Sequence, residues 1–174
     1  MALIAPIGPI APTAPIAPTA PIALMTPIAF QPPARYNLRM TSELPSCEIE
    51  IRVRYAEVDQ MGSLHHSRFW VYFEMGRTEL LRRNDTAYSD LEKAGVFFVV
   101  AKCSARFLAP ARYDDLLVLT TRVTRMGAAR IDHAYELKRQ ADGVTVATAE
   151  TTLACVDRGG QIIGIPDFVR GQRQ

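Results

Sequence analysis

Tyr55-Ala-Glu-Val-Asp59-Gln-Met-Gly62-Ser-Leu-His65-His66 joins two different periodicities. Before it the chain alternates: Ile49, Ile51, Val53 and Tyr55 lie on one side, and Glu48, Glu50, Arg52 and Arg54 on the other. A period of two predicts a half-buried strand over residues 48–55. After it, Phe69, Tyr72, Phe73, Gly76 and Leu80 fall at i, i+3, i+4, i+7 and i+11. That single stripe predicts a helix from about Ser67 to about Arg83, with Ser67 as its N-cap. Residues 56–65 are therefore a turn that sets one acid, Asp59, just ahead of a helix start. Unpaired backbone N–H groups cluster at such a start. With a carboxylate beside them, they can polarise a carbonyl while a base or nucleophile attacks it. Gly76 costs mid-helix stability, roughly 1 kcal/mol relative to alanine, so another backbone, such as a wrapped sheet, is expected to approach closely there.

Downstream, Ser89–Gly95 reads as one or two helical turns ended by glycine. Four strand-like segments follow at Val96–Leu108, Leu116–Met126, Arg130–Arg139 and Val144–Val156. Ala141-Asp142-Gly143 is a hairpin signal between the last two. Short connections predict that these strands are antiparallel neighbours. One long helix against one strongly curved five-stranded antiparallel sheet is an α+β layout. Such an open sheet has an edge that needs cover, so at least a dimer is expected.

The 174 residues fit one domain with a tail. Residues 1–34 carry no charged side chain and hold nine of the 12 prolines. Pro6, Pro9, Pro12, Pro15, Pro18 and Pro21 recur every third residue, the repeat of polyproline II. Prolines at that density forbid a membrane-spanning helix, and no basic n-region of a signal peptide precedes them. Residues 1–40 are read as a disordered, proline- and alanine-rich tail, or as the product of a start placed ahead of Met40. Residues 47–168 are read as the folded domain. A formal net charge of +2, with no basic run, argues against nucleic acid as a partner. The three cysteines, Cys47, Cys103 and Cys155, lack metal-ligand spacing and are read as reduced thiols of a cytoplasmic protein.

Several segments together resemble the hotdog-fold acyl-CoA thioesterases of the 4-hydroxybenzoyl-CoA thioesterase-like family. They are Val53-Arg-Tyr-Ala-Glu-Val-Asp59-Gln-Met-Gly62, His66-Ser-Arg-Phe69, Phe73-Glu74 and Arg77-Thr-Glu79, with Phe107-Leu-Ala-Pro-Ala-Arg-Tyr-Asp-Asp115 farther on. The resemblance covers roughly residues 48–165. It implies a central helix wrapped by a curved sheet, a homodimer or homotetramer, and active sites at the dimer interface. It also implies hydrolysis of an acyl-CoA, or of an acyl-carrier-protein thioester, with no cofactor and no metal. Asp59 then stands at the position of the catalytic carboxylate, either as nucleophile on the thioester or as general base for water. The backbone N–H of His66 is assigned the carbonyl oxygen, helped by the helix dipole.

Other residues carry two readings each. Asp59 alone would pass for a turn-capping aspartate. The His66 side chain either orients water or contacts the thioester, or is a polar residue at a helix start; His65 is given no role. Gly62 and Phe69 are assigned to substrate contact, although Phe69, like Trp70, Phe73, Phe97 and Phe98, also fits a plain core position. Arg125 and Arg130, flanking a tight turn, are candidates for the CoA phosphates. Glu57 is read as a surface charge at the strand end, and Glu74 as a partner of Arg77 on a solvated face. A non-catalytic acyl-thioester-binding protein on the same fold is the alternative. A hotdog hydratase or dehydratase is disfavoured, because the residue five after Asp59 is Leu64 rather than histidine. No Gly-x-Ser-x-Gly elbow supports a serine hydrolase.

Overall fold

The computed structural model describes residues 44–84 and 86–170, so the proline-rich tail over 1–40 lies outside the described residues. The elements run β1 (Ser46–Arg52), α1 (His66–Arg83), α2 (Tyr88–Lys93), β2 (Phe97–Phe107), β3 (Leu116–Met126), β4 (Arg130–Arg139) and β5 (Thr145–Val156). All five strands form one antiparallel sheet in the order β1-β3-β4-β5-β2. Register shifts at Val100/Lys102, Val123/Arg125 and Leu137/Lys138 interrupt three of the ladders. Irregularities of this kind bend and twist strands.

α1 packs on the sheet through the expected stripe: Phe69, Tyr72, Phe73, Gly76 and Leu80 are its buried residues. Phe69, Tyr72 and Phe73 meet Leu117 and Leu119 of β3, Tyr135 and Leu137 of β4, and Val146, Ala147 and Ala149 of β5 in one core. A second core, around Leu80, Leu91, Val123, Ile131 and Cys155, lies toward the other end of the helix. The close approach at Gly76 is present, but side chains make it. A Cβ added there would fall 2.8 Å from Leu119 Cδ2 and would collide with Thr121 Oγ1.

Three expectations need correcting. β1 ends at Arg52, and a 3-10 turn over Tyr55–Glu57 follows. That turn rotates the chain, so Tyr55 leaves the buried side and is 78% exposed, whereas Val53 is fully buried. The helix begins at His66, one residue early, with His65 as its N-cap rather than Ser67. Finally, β2 does not neighbour β3; it pairs with β5 at the far edge of the sheet. The eight residues between β2 and β3 cross the end of the sheet instead. Leu108 and Ala109 donate to Val146 O at 2.8 and 3.2 Å, and Ala111 O accepts the Leu64 N–H at 2.7 Å. That crossing runs directly alongside the Asp59 turn.

Candidate active site

The turn after β1 is closed by backbone bonds. The Asp59 N–H donates to Ser63 O at 2.8 Å, and the Gly62 N–H donates to Asp59 O at 3.0 Å. Gly62 adopts φ +71, and a Cβ added there would meet nothing within 4 Å. Left-handed backbone is costly for any residue with a Cβ, which accounts for a glycine at this position. Val58 and Leu64 bridge the two arms of the turn. The half-buried Asp59 carboxylate sits inside it: Oδ1 accepts the Met61 N–H at 2.8 Å and the Ser63 N–H at 3.2 Å. Oδ2 has no hydrogen-bond partner among the described residues. Asp59 is thus a turn-capping aspartate with one oxygen to spare. The cap orients the carboxylate, and the second oxygen can take a proton or attack a carbonyl.

The helix mouth is built by its neighbours. The His65 N–H donates to Glu57 O at 2.9 Å. His65 Nδ1 accepts the Ser67 N–H at 3.3 Å and lies 2.8 Å from Ser67 Oγ. The Arg68 N–H donates to His65 O at 2.9 Å. Among the first-turn amides this leaves the His66 N–H with no intrahelical acceptor, as helix geometry dictates. The His66 side chain is exposed, its ring 4.2 Å from that of His65. His65, given no role from sequence, therefore caps the first turn of α1 and ties it through its own N–H to Glu57.

Glu57 is the largest correction. It is 2% exposed, not a surface charge. Its Oε2 accepts the Arg54 N–H at 2.9 Å and the Tyr72 O–H at 2.6 Å, and its Oε1 accepts Arg54 Nη2 at 2.6 Å. Burial alone would favour the neutral acid. The hydrogen bonds from Arg54 and Tyr72, with the Arg54 charge, overrule it and hold the carboxyl at about 2. Tyr72 responds in the opposite sense: burial first, and then the bond to Glu57, raise its phenol well above the ordinary value. The sequence signal was present but ambiguous, since an acid two residues before Asp59 also suits a surface strand end.

The other predicted residues fall into two groups. Phe69 is 4% exposed and belongs to the core, its ring 4.8 Å from Phe107, which is itself exposed. Glu74 is exposed and pairs with Arg77 at 2.9 Å, as expected. Arg125 and Arg130 are exposed but lie at the other end of the sheet. The Asp59 end of β3 is marked by Leu116, the register partner of Arg52. Arg125 is nine residues farther along that strand, roughly 30 Å at the rise of an extended chain. One protomer does not bring them to Asp59. A cation that the sequence reading missed is nearer: Arg112 bridges Ser63 through its backbone, its N–H fixed by Asp115 Oδ2 at 2.7 Å. Its side chain is exposed and has no acidic partner among the described residues.

Residues 53–172 match the thioesterase-like superfamily. The chain belongs to that superfamily. Taken with the relatives that follow, the match makes it an enzyme of the thioester-hydrolase class, on the hotdog fold that its helix and sheet display. It is 34% identical over 110 residues to the acyl-CoA thioesterase YbgC of Haemophilus influenzae, covering 63% of this chain and 79% of that one. It is 32% identical over 107 residues to the acyl-CoA thioester hydrolase YbgC of Escherichia coli O157:H7, covering 62% and 79%. Among solved structures, the hypothetical protein TT1821 of Thermus thermophilus superposes with a TM-score of 0.67 at 36% identity, covering 71% of this chain and 94% of that one. Among the described residues, no helix is long and apolar enough to cross a membrane.

Proposed function

We propose that this protein hydrolyses acyl-CoA thioesters to a free acid and CoA, with Asp59 as the catalytic carboxylate. One observation supports this above the rest: Asp59 is held by two turn amides on a single oxygen, just ahead of a helix start whose His66 N–H has no intrahelical acceptor, in a chain of the thioesterase-like superfamily. The thioester carbonyl would lie with its oxygen toward the His66 N–H, which stabilises the oxyanion as it develops. In the general-base route, Asp59 Oδ2 takes a proton from water, the hydroxyl oxygen adds to the carbonyl carbon, and the C–S bond breaks. The thiolate leaves and the proton on Asp59 returns to it. In the nucleophilic route, Oδ2 adds to the carbonyl carbon and the C–S bond breaks to release the thiolate; water then opens the resulting anhydride, giving the free acid and the Asp59 carboxylate and a proton for the thiolate. The hydratase alternative is weaker, because Leu64 is buried and carries no titratable group.

The site is proposed to be completed by a second copy. β2 is an eleven-residue edge strand with Val99, Val100 and Phe107 exposed, and α1 exposes Val71 and Met75. A long unpaired edge strand templates another strand. Two-fold antiparallel pairing of β2 edges sets each protomer's Phe107 end beside the other's Phe97 end. The partner's β3–β4 hairpin then comes to the same end of the joint sheet as this protomer's Asp59. That is the arrangement in which Arg125 and Arg130 can serve the nucleotide. We assign the enzyme to the cytoplasm, where acyl-CoA is available. Thiol release across a panel of acyl-CoA esters, with matched acyl-carrier-protein esters, tests the reading. Turnover of at least one CoA ester is expected, and saturable binding with no thiol release from any would establish the non-catalytic alternative.

A further inference from the structure

Glu57 touches three parts of the site at once, which its position in the sequence does not require. Its carboxylate grips the exit of β1 through the Arg54 N–H and guanidinium. The same carboxylate accepts the Tyr72 O–H from the body of α1, in the second turn of the helix. Its carbonyl oxygen accepts the N–H of His65, the residue that caps α1. Between these anchor points lies the loop carrying Asp59, and the hydrogen bonds of Asp59 itself are all internal to the turn. Ser63 and Leu64 tie the far side of the loop to Arg112 and Ala111 of the β2–β3 connection, and Glu57 supplies the hydrogen bonds that join it to α1.

We propose that Glu57 is a positioning residue. Its buried carboxylate sets the placement of the Asp59 carboxylate relative to the His66 amide. This rests on the hydrolysis reading above and adds a residue to it. A carboxylate buried at 2% exposure demands partners, since leaving it unpaired is strongly unfavourable. That demand makes the geometry rigid: strand exit, helix body and helix cap cannot move independently while Glu57 is ionised. Catalysis needs such rigidity, because a misplacement of about 1 Å can cost about 10²-fold in rate.

The test compares Glu57→Gln, Tyr72→Phe and the double variant with the wild-type enzyme, well below their melting temperatures. Two readouts are taken: steady-state kinetics on the best acyl-CoA ester, and hydrogen exchange at the Met61, Ser63 and His65 amides. Glu57→Gln is expected to lower kcat by about 10²-fold with KM changed less than about twofold, and to speed exchange at His65. Tyr72→Phe should do the same more weakly. The double variant should be no slower than Glu57→Gln alone, because the two groups act as one unit. A melting temperature that falls while kcat and exchange stay at wild-type levels would make Glu57 merely structural and overturn the proposal. Faster exchange with wild-type kcat would overturn it too. If the wild-type protein releases no thiol from any ester, hydrolysis itself fails. Exchange at the His65 amide still decides whether Glu57 holds the loop.

Discussion

Acidification should destabilise this protein through one histidine, in a window set by its surroundings. His133 lies on β4 and is 6% exposed, facing the core under α1. Its Nδ1 has no hydrogen-bond partner among the described residues, and its ring stacks at 6.1 Å on Tyr135. Burial first, and then the Arg77 cation, lower its pKa from 6.5 to about 4, against a smaller opposing pull from Asp132. The native state therefore keeps His133 neutral, while the unfolded chain protonates it near 6.5. Between about 6.5 and about 4 the unfolded state binds more protons, so stability falls as pH falls. At about 1.36 kcal/mol per decade of proton affinity, the full window is worth about 3 kcal/mol, a large part of a typical domain's stability. The Glu57 contribution lies lower: it is complete above about 4.5 and is lost as pH falls toward about 2. Urea unfolding of wild type and His133→Phe at a series of pH values from 8 to 4 separates the two. The phenyl ring keeps the volume and the stacking but cannot take a proton. The wild type should lose about 3 kcal/mol more than the variant across the window. Parallel pH profiles for the two proteins would refute the burial argument.

Gly76→Ala should destabilise by about 1–3 kcal/mol despite its better helix propensity, because the methyl meets Thr121 and Leu119; chemical denaturation would show it, and a stabilised variant would contradict the packing. Arg112→Ala should raise KM for a CoA ester more than for the matching pantetheine ester, since only the former carries the nucleotide phosphates; equal effects would remove Arg112 from nucleotide reading. Val100→Lys, which sets a charge on the exposed β2 edge, should shift the protein toward monomer by sedimentation and reduce turnover with it; an unchanged oligomer would place the interface elsewhere.

Different parts of this molecule were legible to different degrees, for physical reasons. The α1 stripe could be read residue by residue, because a 3.6-residue period with five large or special residues has no competing explanation. The same holds for β4, where alternation runs unbroken between Gly127 and Asp142-Gly143. Tyr55 and Glu57 exchanged places, one expected inside and found outside, the other the reverse. A three-residue 3-10 turn shifts which side faces the core, and local alternation carries no sign of it. The N-cap went to His65 rather than Ser67 because the Glu57 carbonyl, a nonlocal partner, fixes the His65 backbone. The position of β2 was hidden for a similar reason. The length of its connection to β3 does not reveal that the connection pairs with the Asp59 turn and crosses the sheet end. Asp59 itself was recognisable as a motif, but its dual state, one oxygen capped and one free, emerges only from coordinates.

The most direct measurement is thioester turnover by Asp59→Asn beside its thermal stability. The asparagine Oδ1 can still accept the Met61 and Ser63 amides, so the turn and the melting temperature should stay close to wild type. The free oxygen becomes an amide nitrogen that neither takes a proton nor attacks, so turnover should fall by about 10²–10⁴-fold. A folded variant that splits acyl-CoA at the wild-type rate would show that the aspartate serves only the turn.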